Sequence, residues 1–276
     1  MTDAHHRAAI AERAARAGGV VARELFRGDL QIETKTDKTD LVTAADRDAQ
    51  QQVVATIREE FSGDQFVCEE DSPQLVGPES DAPEATLVDD VPDTGPAWIV
   101  DPIDGTTNFV RGSRTWATSV TALVDGEPVG SANYLPAMGD LYAAGPESVT
   151  RDGKSMRVSD EDDTDAFLVA VVNRWEDPER FGRVCEVADE RLGDVRRLGS
   201  FQATLSMLAD GGFDAAVCTQ TANAWDTVAG VHMVREAGGT VTDVRGDRWV
   251  PASEGLVASN GTAHDDVLDA VAASLE

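Results

Sequence analysis

Along the first quarter of the chain, apolar residues recur every three to four positions. Ile10, Ala14, Val21 and Leu25 fall roughly on one face of a helix spanning Ala4–Phe26. Ala44–Phe61 reads as a second helix, reached through Asp40-Leu41-Val42-Thr43. The pattern then shortens. Gln65–Cys68 is a brief strand that runs straight into Glu69-Glu70-Asp71, and Ser72–Gly95, rich in proline, glycine and acids, reads as an exposed loop. The apolar run Ala97–Val100 predicts a strand ending at Asp101. Residues 116–135 alternate as a hairpin turning at Asp125-Gly126, and Asp140–Ala144 suggests a further strand.

After this point strands and helices take turns. The expected order is strand Phe167–Val172, helix Pro178–Leu192, strand Asp194–Leu198, helix Phe201–Ala209 and strand Asp214–Cys218. Helix Thr227–Ala237, strands Thr240–Val244 and Leu256–Ser259, and helix Asp265–Leu275 complete it. An α+β half is thus followed by an α/β half, with a seam near residues 145–165. We expect two subdomains, 1–150 and 151–276, within one tightly packed unit of 276 residues.

Charge changes the picture. With 51 acidic against 23 basic residues, the formal charge is −28, which argues against binding nucleic acid or an anionic membrane. Lys35, Lys38 and Lys154 are the three lysines of the chain, and acid-rich, lysine-poor composition resembles that of proteins from extreme halophiles, where salt screens self-repulsion. No apolar run is long enough for a membrane span, and Met1–Ile10 lacks the apolar stretch of a signal peptide, so a cytoplasmic protein is expected. Cys68, Cys185 and Cys218 have neither metal-ligand spacing nor a disulfide framework, and the four histidines form no HExxH pattern. A zinc hydrolase is therefore unsupported, and no GxxxxGK[ST] loop exists for a P-loop NTPase.

The chemistry concentrates in Trp98-Ile99-Val100-Asp101-Pro102-Ile103-Asp104-Gly105-Thr106-Thr107-Asn108-Phe109. An apolar strand delivers two carboxylates three positions apart, Pro102 stiffens the backbone between them, and Gly105 permits a close turn into Thr106-Thr107. Free N–H groups at such a helix start can hold a phosphate. Clustered carboxylates repel one another unless a cation sits among them. A hard divalent ion with oxygen ligands meets that need, and a pair of such ions can drive in-line displacement at phosphorus. Nearly one residue in five is Asp or Glu, so a bare DxxD carries little weight; its place between an apolar strand and Gly-Thr-Thr-Asn carries more.

That segment resembles the signature of the inositol monophosphatase family. Lys35 with Asp40-Leu41-Val42-Thr43-Ala44-Ala45-Asp46, Phe66-Val67-Cys68-Glu69-Glu70 and Ala224-Trp225-Asp226-Thr227-Val228-Ala229-Gly230 match further family elements in order and spacing. Smaller matches are Gly199-Ser200, Glu236-Ala237-Gly238-Gly239 and the Leu135-Pro136…Asp140-Leu141-Tyr142 hairpin. The resemblance runs from about residue 10 to 270 and implies a layered αβαβα sandwich of the sugar-phosphatase type, with a site between the two halves. It implies a Mg²⁺-dependent phosphomonoesterase using two or three ions per site, acting on fructose 1,6-bisphosphate, myo-inositol 1-phosphate or both, and forming a homodimer. Glu69, Asp101, Asp104, Asp226 and the Ile103 carbonyl would ligate metal. Asp46 and Thr106 would orient and help deprotonate the attacking water, Glu70 would hold water at the metal, and the N–H groups of Gly105 and Thr106 would receive the phosphate.

Departures from the family pattern bear on the substrate. Cys68 replaces the usual Gly before the paired glutamates, a change a small apolar side chain should tolerate. Ser200 is followed by Phe201-Gln202, where small residues are common, which crowds a wall of the expected pocket. Thr219, seven residues before Asp226, stands where inositol-specific members tend to carry a Glu for ring hydroxyls, and archaeal members often accept fructose 1,6-bisphosphate. Ser200 and Thr219 are thus candidate substrate residues. The alternatives are a 3′-phosphonucleotide phosphatase on the same fold, such as one acting on 3′-phosphoadenosine 5′-phosphate, and a catalytically silent phosphate-binding scaffold. Spacing disfavours a haloacid-dehalogenase reading, since its aspartates are separated by one residue and here by two; a trapped covalent phosphoenzyme would support it.

Overall fold

The computed structural model describes residues 3–28, 32–34, 41–70, 86–172 and 177–275. Lys35, Lys38, Asp40 and most of the acidic Ser72–Gly95 stretch lie outside the described residues. Among those described there are seven α-helices: α1 (Asp3–Leu25), α2 (Ala44–Arg58), α3 (Thr106–Val110), α4 (Pro178–Leu192), α5 (Phe201–Ala209), α6 (Ala224–Glu236) and α7 (His264–Ser274).

An eight-stranded sheet runs in the spatial order Lys154–Ser155, Ser148–Arg151, Asp140–Gly145, Glu127–Leu135, Ala117–Val124, Pro96–Asp104, Gln65–Cys68, Thr86–Leu87. Its last three strands are parallel and the others antiparallel. A second sheet has the order Asp194–Arg196, Leu168–Val171, Ala215–Cys218, Leu256–Ser259, Thr240–Thr242. Its first three strands are parallel, Leu256–Ser259 runs antiparallel to both its neighbours, and Thr240–Thr242 therefore runs in the direction of the first three. Ile32–Thr34 pairs with Leu41–Thr43 in a small ribbon.

Strand alternation sorts side chains into layers. Phe66, Trp98, Val100 and Val120 pack against α1 and α2, whereas Val67, Ala97, Ile99 and Leu123 face the opposite way, onto α5 and α6. The same rule divides the second sheet. Ala170, Ala216 and Ala258 join the α5–α6 core, while Val169, Val171, Ala215, Val217 and Val257 pack on α4 and α7. The result is an αβαβα sandwich with α5 and α6 as the middle layer, as the sequence led us to expect.

Helix α1 and the strand Pro96–Asp104 are among the elements that depart from the sequence reading. In α1 the buried stripe drifts to Gly18, Gly19 and Ala22, leaving Val21 and Leu25 only partly covered. The glycines explain this: a Cβ on Gly18 would lie 2.4 Å from Val53, and one on Gly19 would lie 2.5 Å from Tyr134, so the helix sits too close for larger residues. The strand expected to stop at Val100 continues through Asp104. A register shift between Asp101 and Asp104 lets it keep pairing with Ser119 and then Ala117. Beneath α1, Arg7 is buried and bonds Asp64 at 2.5 Å, and Asp64 also accepts the Trp98 indole N–H at 2.8 Å.

Candidate active site

The bulged end of Pro96–Asp104 places both aspartates in the interior, Asp101 1% and Asp104 5% exposed. Gly105 follows at φ +91°, a left-handed conformation that glycine adopts without strain. A side chain here would also have to clear the Gly199 carbonyl at 3.0 Å and the Ser200 Cβ at 3.1 Å. The chain then enters the single turn of α3, so Thr106 sits beside the aspartates rather than beyond them.

Asp226 arrives from the other side. Helix α6 begins at Ala224, three residues earlier than the sequence suggested, so Asp226 lies inside its first turn and is not its N-cap. The helix dipole there favours negative charge, and the Asn223 amide donates to Asp226 Oδ2 at 3.1 Å. One carboxylate oxygen from each of Asp101, Asp104 and Asp226 lies within 4.8 Å of the others. Glu69, immediately after Gln65–Cys68, reaches the same cluster, where its carboxyl adds to the negative field at Asp101.

The three aspartates are held differently. Asp101 Oδ1 is buried with no hydrogen-bond donor among the described residues. Burial, with Glu69, Asp104 and Asp226 nearby, holds the Asp101 carboxyl well above its usual range. Asp104 is cradled by the start of α5. Its oxygens accept the Ser200 hydroxyl, the Phe201 N–H at 3.0 Å and the Gln202 N–H at 2.8 Å. Burial nonetheless pushes Asp104 up to about 6, the three donors opposing it and Asp226 reinforcing it. A buried all-carboxylate set with an undonated oxygen fits a hard divalent cation, which would supply the missing positive charge.

Asp46, at the third position of α2, completes a capping box. Its Oδ2 accepts the Thr43 N–H at 2.8 Å and the Thr43 hydroxyl at 2.7 Å. Its Oδ1 faces the Thr106 hydroxyl at 3.3 Å, and that hydroxyl also lies 3.1 Å from the Ile103 carbonyl. Burial pushes Asp46 up to about 6 despite the Thr43 donors, with Glu70 adding repulsion. Glu70 is buried, its backbone gripped from both sides by Gln50, which accepts from its N–H at 3.0 Å and donates to its carbonyl at 2.7 Å.

The structure therefore brings Glu69, Asp101, Asp104 and Asp226 together, with Asp46, Thr106 and the Ile103 carbonyl adjoining. Ser200 and Thr219 are fully covered and already engaged. Ser200 caps α5 and donates to Asp104, while the Thr219 hydroxyl accepts from Arg180 Nε at 2.9 Å and its carbonyl from Arg180 Nη2 at 2.6 Å. Phe201 and Gln202, expected to crowd a pocket wall, open α5. Both are buried in the middle layer, because their positions on α5 turn them toward α6 and the first sheet. Cys68 packs beside the α1–α2 core, and burial pushes its thiol up to about 12, so it is an inert filler.

Sequence reasoning missed Gln50, Asn108, Arg180 and Gln202. Asn108 donates to the Thr115 and Leu198 carbonyls at 2.6 and 2.8 Å, tying α3 to the loop before α5. Its place in the Gly-Thr-Thr-Asn run was the available signal. The other three carry none, since each acts across long sequence separations.

Comparison with known proteins agrees with this geometry. The profile described as "Inositol monophosphatase family" matches residues 3–276. A protein of Thermotoga maritima named fructose-1,6-bisphosphatase/inositol-1-monophosphatase is 32% identical over 242 residues, covering 87% of this chain and 86% of its own. Human inositol monophosphatase 1 is 28% identical over 252 residues, covering 89% and 86%. Among solved structures, a Thermotoga maritima IMPase superposes with a TM-score of 0.82 at 28% identity, over 96% of both chains. An inositol monophosphatase from Anabaena gives 0.82 at 26%, over 98% and 97%. The chain belongs to the inositol monophosphatase family and is a phosphoric monoester hydrolase acting on sugar or inositol phosphates.

Proposed function

We propose that the chain hydrolyses fructose 1,6-bisphosphate in preference to myo-inositol 1-phosphate, at a site holding two or three Mg²⁺ ions on Glu69, Asp101, Asp104, Asp226 and the Ile103 carbonyl. The observation that carries the site assignment is the convergence of three carboxylates, those of Asp101 and Asp104 buried and that of Asp226 half-buried, with an oxygen of Asp101 that no group among the described residues donates to. When bound, the cations supply positive charge that lets these acids ionise together, polarises the phosphoryl oxygens and acidifies water.

The chain's own groups do the rest. Asp46, raised to about 6 and facing the Thr106 hydroxyl, is placed to accept a proton through that hydroxyl from the attacking water. The Thr43 donors fix the orientation of its carboxylate. Glu70 orients water beside the cluster, and Gln50 fixes its backbone. The N–H groups of Gly105 and Thr106 receive the phosphate, which can approach closely because Gly105 has no side chain. Ser200 and the first turn of α5 hold Asp104, so that it need not reorganise when substrate binds.

The substrate preference rests on Thr219. Its side chain is fully buried and its hydroxyl accepts from Arg180, so it is not presented to inositol ring hydroxyls at that position. The Thermotoga maritima relative is named for both activities, which supports the bisphosphate as a substrate of this kind of site. We also read residues 1–150 and 151–276 as two subdomains, and the protein as a cytoplasmic homodimer of a halophilic archaeon. Among the described residues no helix is long and apolar enough to cross a membrane, and the charge of −28 disfavours nucleic acid.

The test is phosphate release in high KCl with Mg²⁺ from fructose 1,6-bisphosphate, myo-inositol 1-phosphate and 3′-phosphoadenosine 5′-phosphate, compared side by side. The proposal expects EDTA-sensitive turnover with the highest kcat/KM for the bisphosphate. A higher kcat/KM for either of the other two overturns the preference.

A further inference from the structure

Asp104 and Asp226 stand on different elements, and something must set the distance between them. One fully buried residue spans the gap, with its backbone on one side and its side chain on the other. The backbone N–H of Gln202 donates to Asp104 Oδ2 at 2.8 Å. Its side-chain Nε2 donates to the carbonyl of Trp225, the residue immediately before Asp226, at 2.7 Å, and its Oε1 accepts the Gly230 N–H at 2.8 Å one turn further along α6. Gln202 therefore touches the carboxylate from one side and grips the first turns of the opposing helix with both ends of its amide.

Two further features serve this contact. Gly230 lets the helices approach: a Cβ there would lie 2.4 Å from Leu205 Cβ and 3.1 Å from Gln202 Oε1. Asn133, buried on the first sheet, donates to the same Oε1 at 3.0 Å. Two donors at Oε1 and an acceptor at Nε2 fix which way the amide faces. The first sheet, α5 and α6 thus meet at one carboxamide.

We propose that Gln202 is a positioning residue that sets the separation of Asp104 and Asp226, and thereby the affinity of the site for divalent metal. This rests on the assignment of Asp104 and Asp226 as ligands. Because small misplacements of ligands are costly for hard cations that demand regular geometry, releasing α6 from α5 should weaken binding well before it unfolds the protein.

The experiment is calorimetric titration of Mn²⁺ into EDTA-stripped, dialysed full-length protein in high KCl, with Tm measured in parallel. Gln202→Met keeps the length of the side chain but removes its three side-chain hydrogen bonds. Its Mn²⁺ dissociation constant should rise at least about tenfold, as losses of outer ligand-orienting groups typically do. Ser206→Ala is the control. It lies in the same layer and bonds Asn133, the Gln202 carbonyl and, at 3.8 Å, the Met233 sulfur near the far end of α6, but reaches neither Asp104 nor the turn of α6 that carries Asp226, so its dissociation constant should stay within about twofold of wild type even if Tm falls.

Wild-type Mn²⁺ affinity in Gln202→Met, or an equal loss in Ser206→Ala, overturns the proposal. Should Gln202→Met fail to fold, Gln202→Asn retains an amide one methylene too short to reach α6, and the same criterion applies to it; if both fail to fold, Gln202 is a folding residue and the proposal falls. Undetectable Mn²⁺ binding by the wild-type protein would instead refute the ligand assignment itself.

Discussion

Asp101→Asn is expected to stabilise the metal-free protein while abolishing its response to metal. In the metal-free state Asp101 is fully buried, has an oxygen without a donor among the described residues, and faces Asp104 and Asp226 with oxygens within 4.8 Å. At an effective dielectric of about 20, each ionised pair at that distance repels by about 3.5 kcal/mol. Proton uptake by the raised carboxyl relieves part of this, so the substitution should gain less than one full pair, about 1–3 kcal/mol near pH 8. The new amide would also direct its N–H groups toward neighbouring carboxylates. Thermal unfolding in EDTA should therefore show a Tm for Asp101→Asn several degrees above wild type, with the gap narrowing as pH falls and wild-type Asp101 becomes neutral. With saturating Mg²⁺ the order should reverse, because only the wild type gains binding energy. An Asp101→Asn Tm below wild type in EDTA at pH 8 would refute the idea that the empty cluster stores repulsion.

Asp46 gives a pH prediction. Its carboxyl is raised from 3.8 to about 6, so its contribution to folding stability is fully present below about pH 4 and lost as pH rises toward 6, a change of about 3 kcal/mol. As a proton acceptor it should make kcat/KM fall about tenfold per pH unit below 6, and Asp46→Asn should remove both this acid limb and most of the activity; a wild-type acid limb in the variant would sink the assignment. Arg7→Met should cost about 3 kcal/mol by leaving Asp64 buried with only the Trp98 donor, yet leave Mg²⁺ affinity unchanged, as urea unfolding and calorimetry would show. Replacing the exposed acids Asp162, Asp189 and Asp266 by Lys should lower the KCl concentration needed for stability with little change in kcat; an unaltered salt requirement would count against a halophilic origin.

Much of the fold was legible because strands and helices in this chain carry strong patterns. Pro178–Leu192, Phe201–Ala209 and Leu256–Ser259 match their expected bounds, the first two capped by Asp177 and Ser200. The hairpin strands Ser148–Arg151 and Lys154–Ser155 went unread because they are short and polar. Asp152-Gly153, both with positive φ, was the turn signal available. The continuation of the central strand through Asp101 and Asp104 was hidden for another reason: carboxylates read as loop residues, and only the opposing strand can keep such a bulge in register. The cluster of carboxylates was foreseeable from Asp101-Pro102-Ile103-Asp104 and the family resemblance. The groups that hold it in place were not. Gln50, Arg180 and Gln202 act between residues 20 to 39 positions apart in sequence, where no local period or spacing marks them.

On the proposed function, phosphate release requires a divalent metal held by Asp101, Asp104 and Asp226. That requirement is tested most directly by stripping wild type and Asp226→Asn with EDTA and restoring Mg²⁺ stepwise while measuring phosphate release from fructose 1,6-bisphosphate. The wild type should be silent in EDTA and recover fully, and Asp226→Asn should need at least about tenfold more Mg²⁺ or fail to recover. Turnover that persists in EDTA, or a wild-type Mg²⁺ dependence in Asp226→Asn, would contradict it.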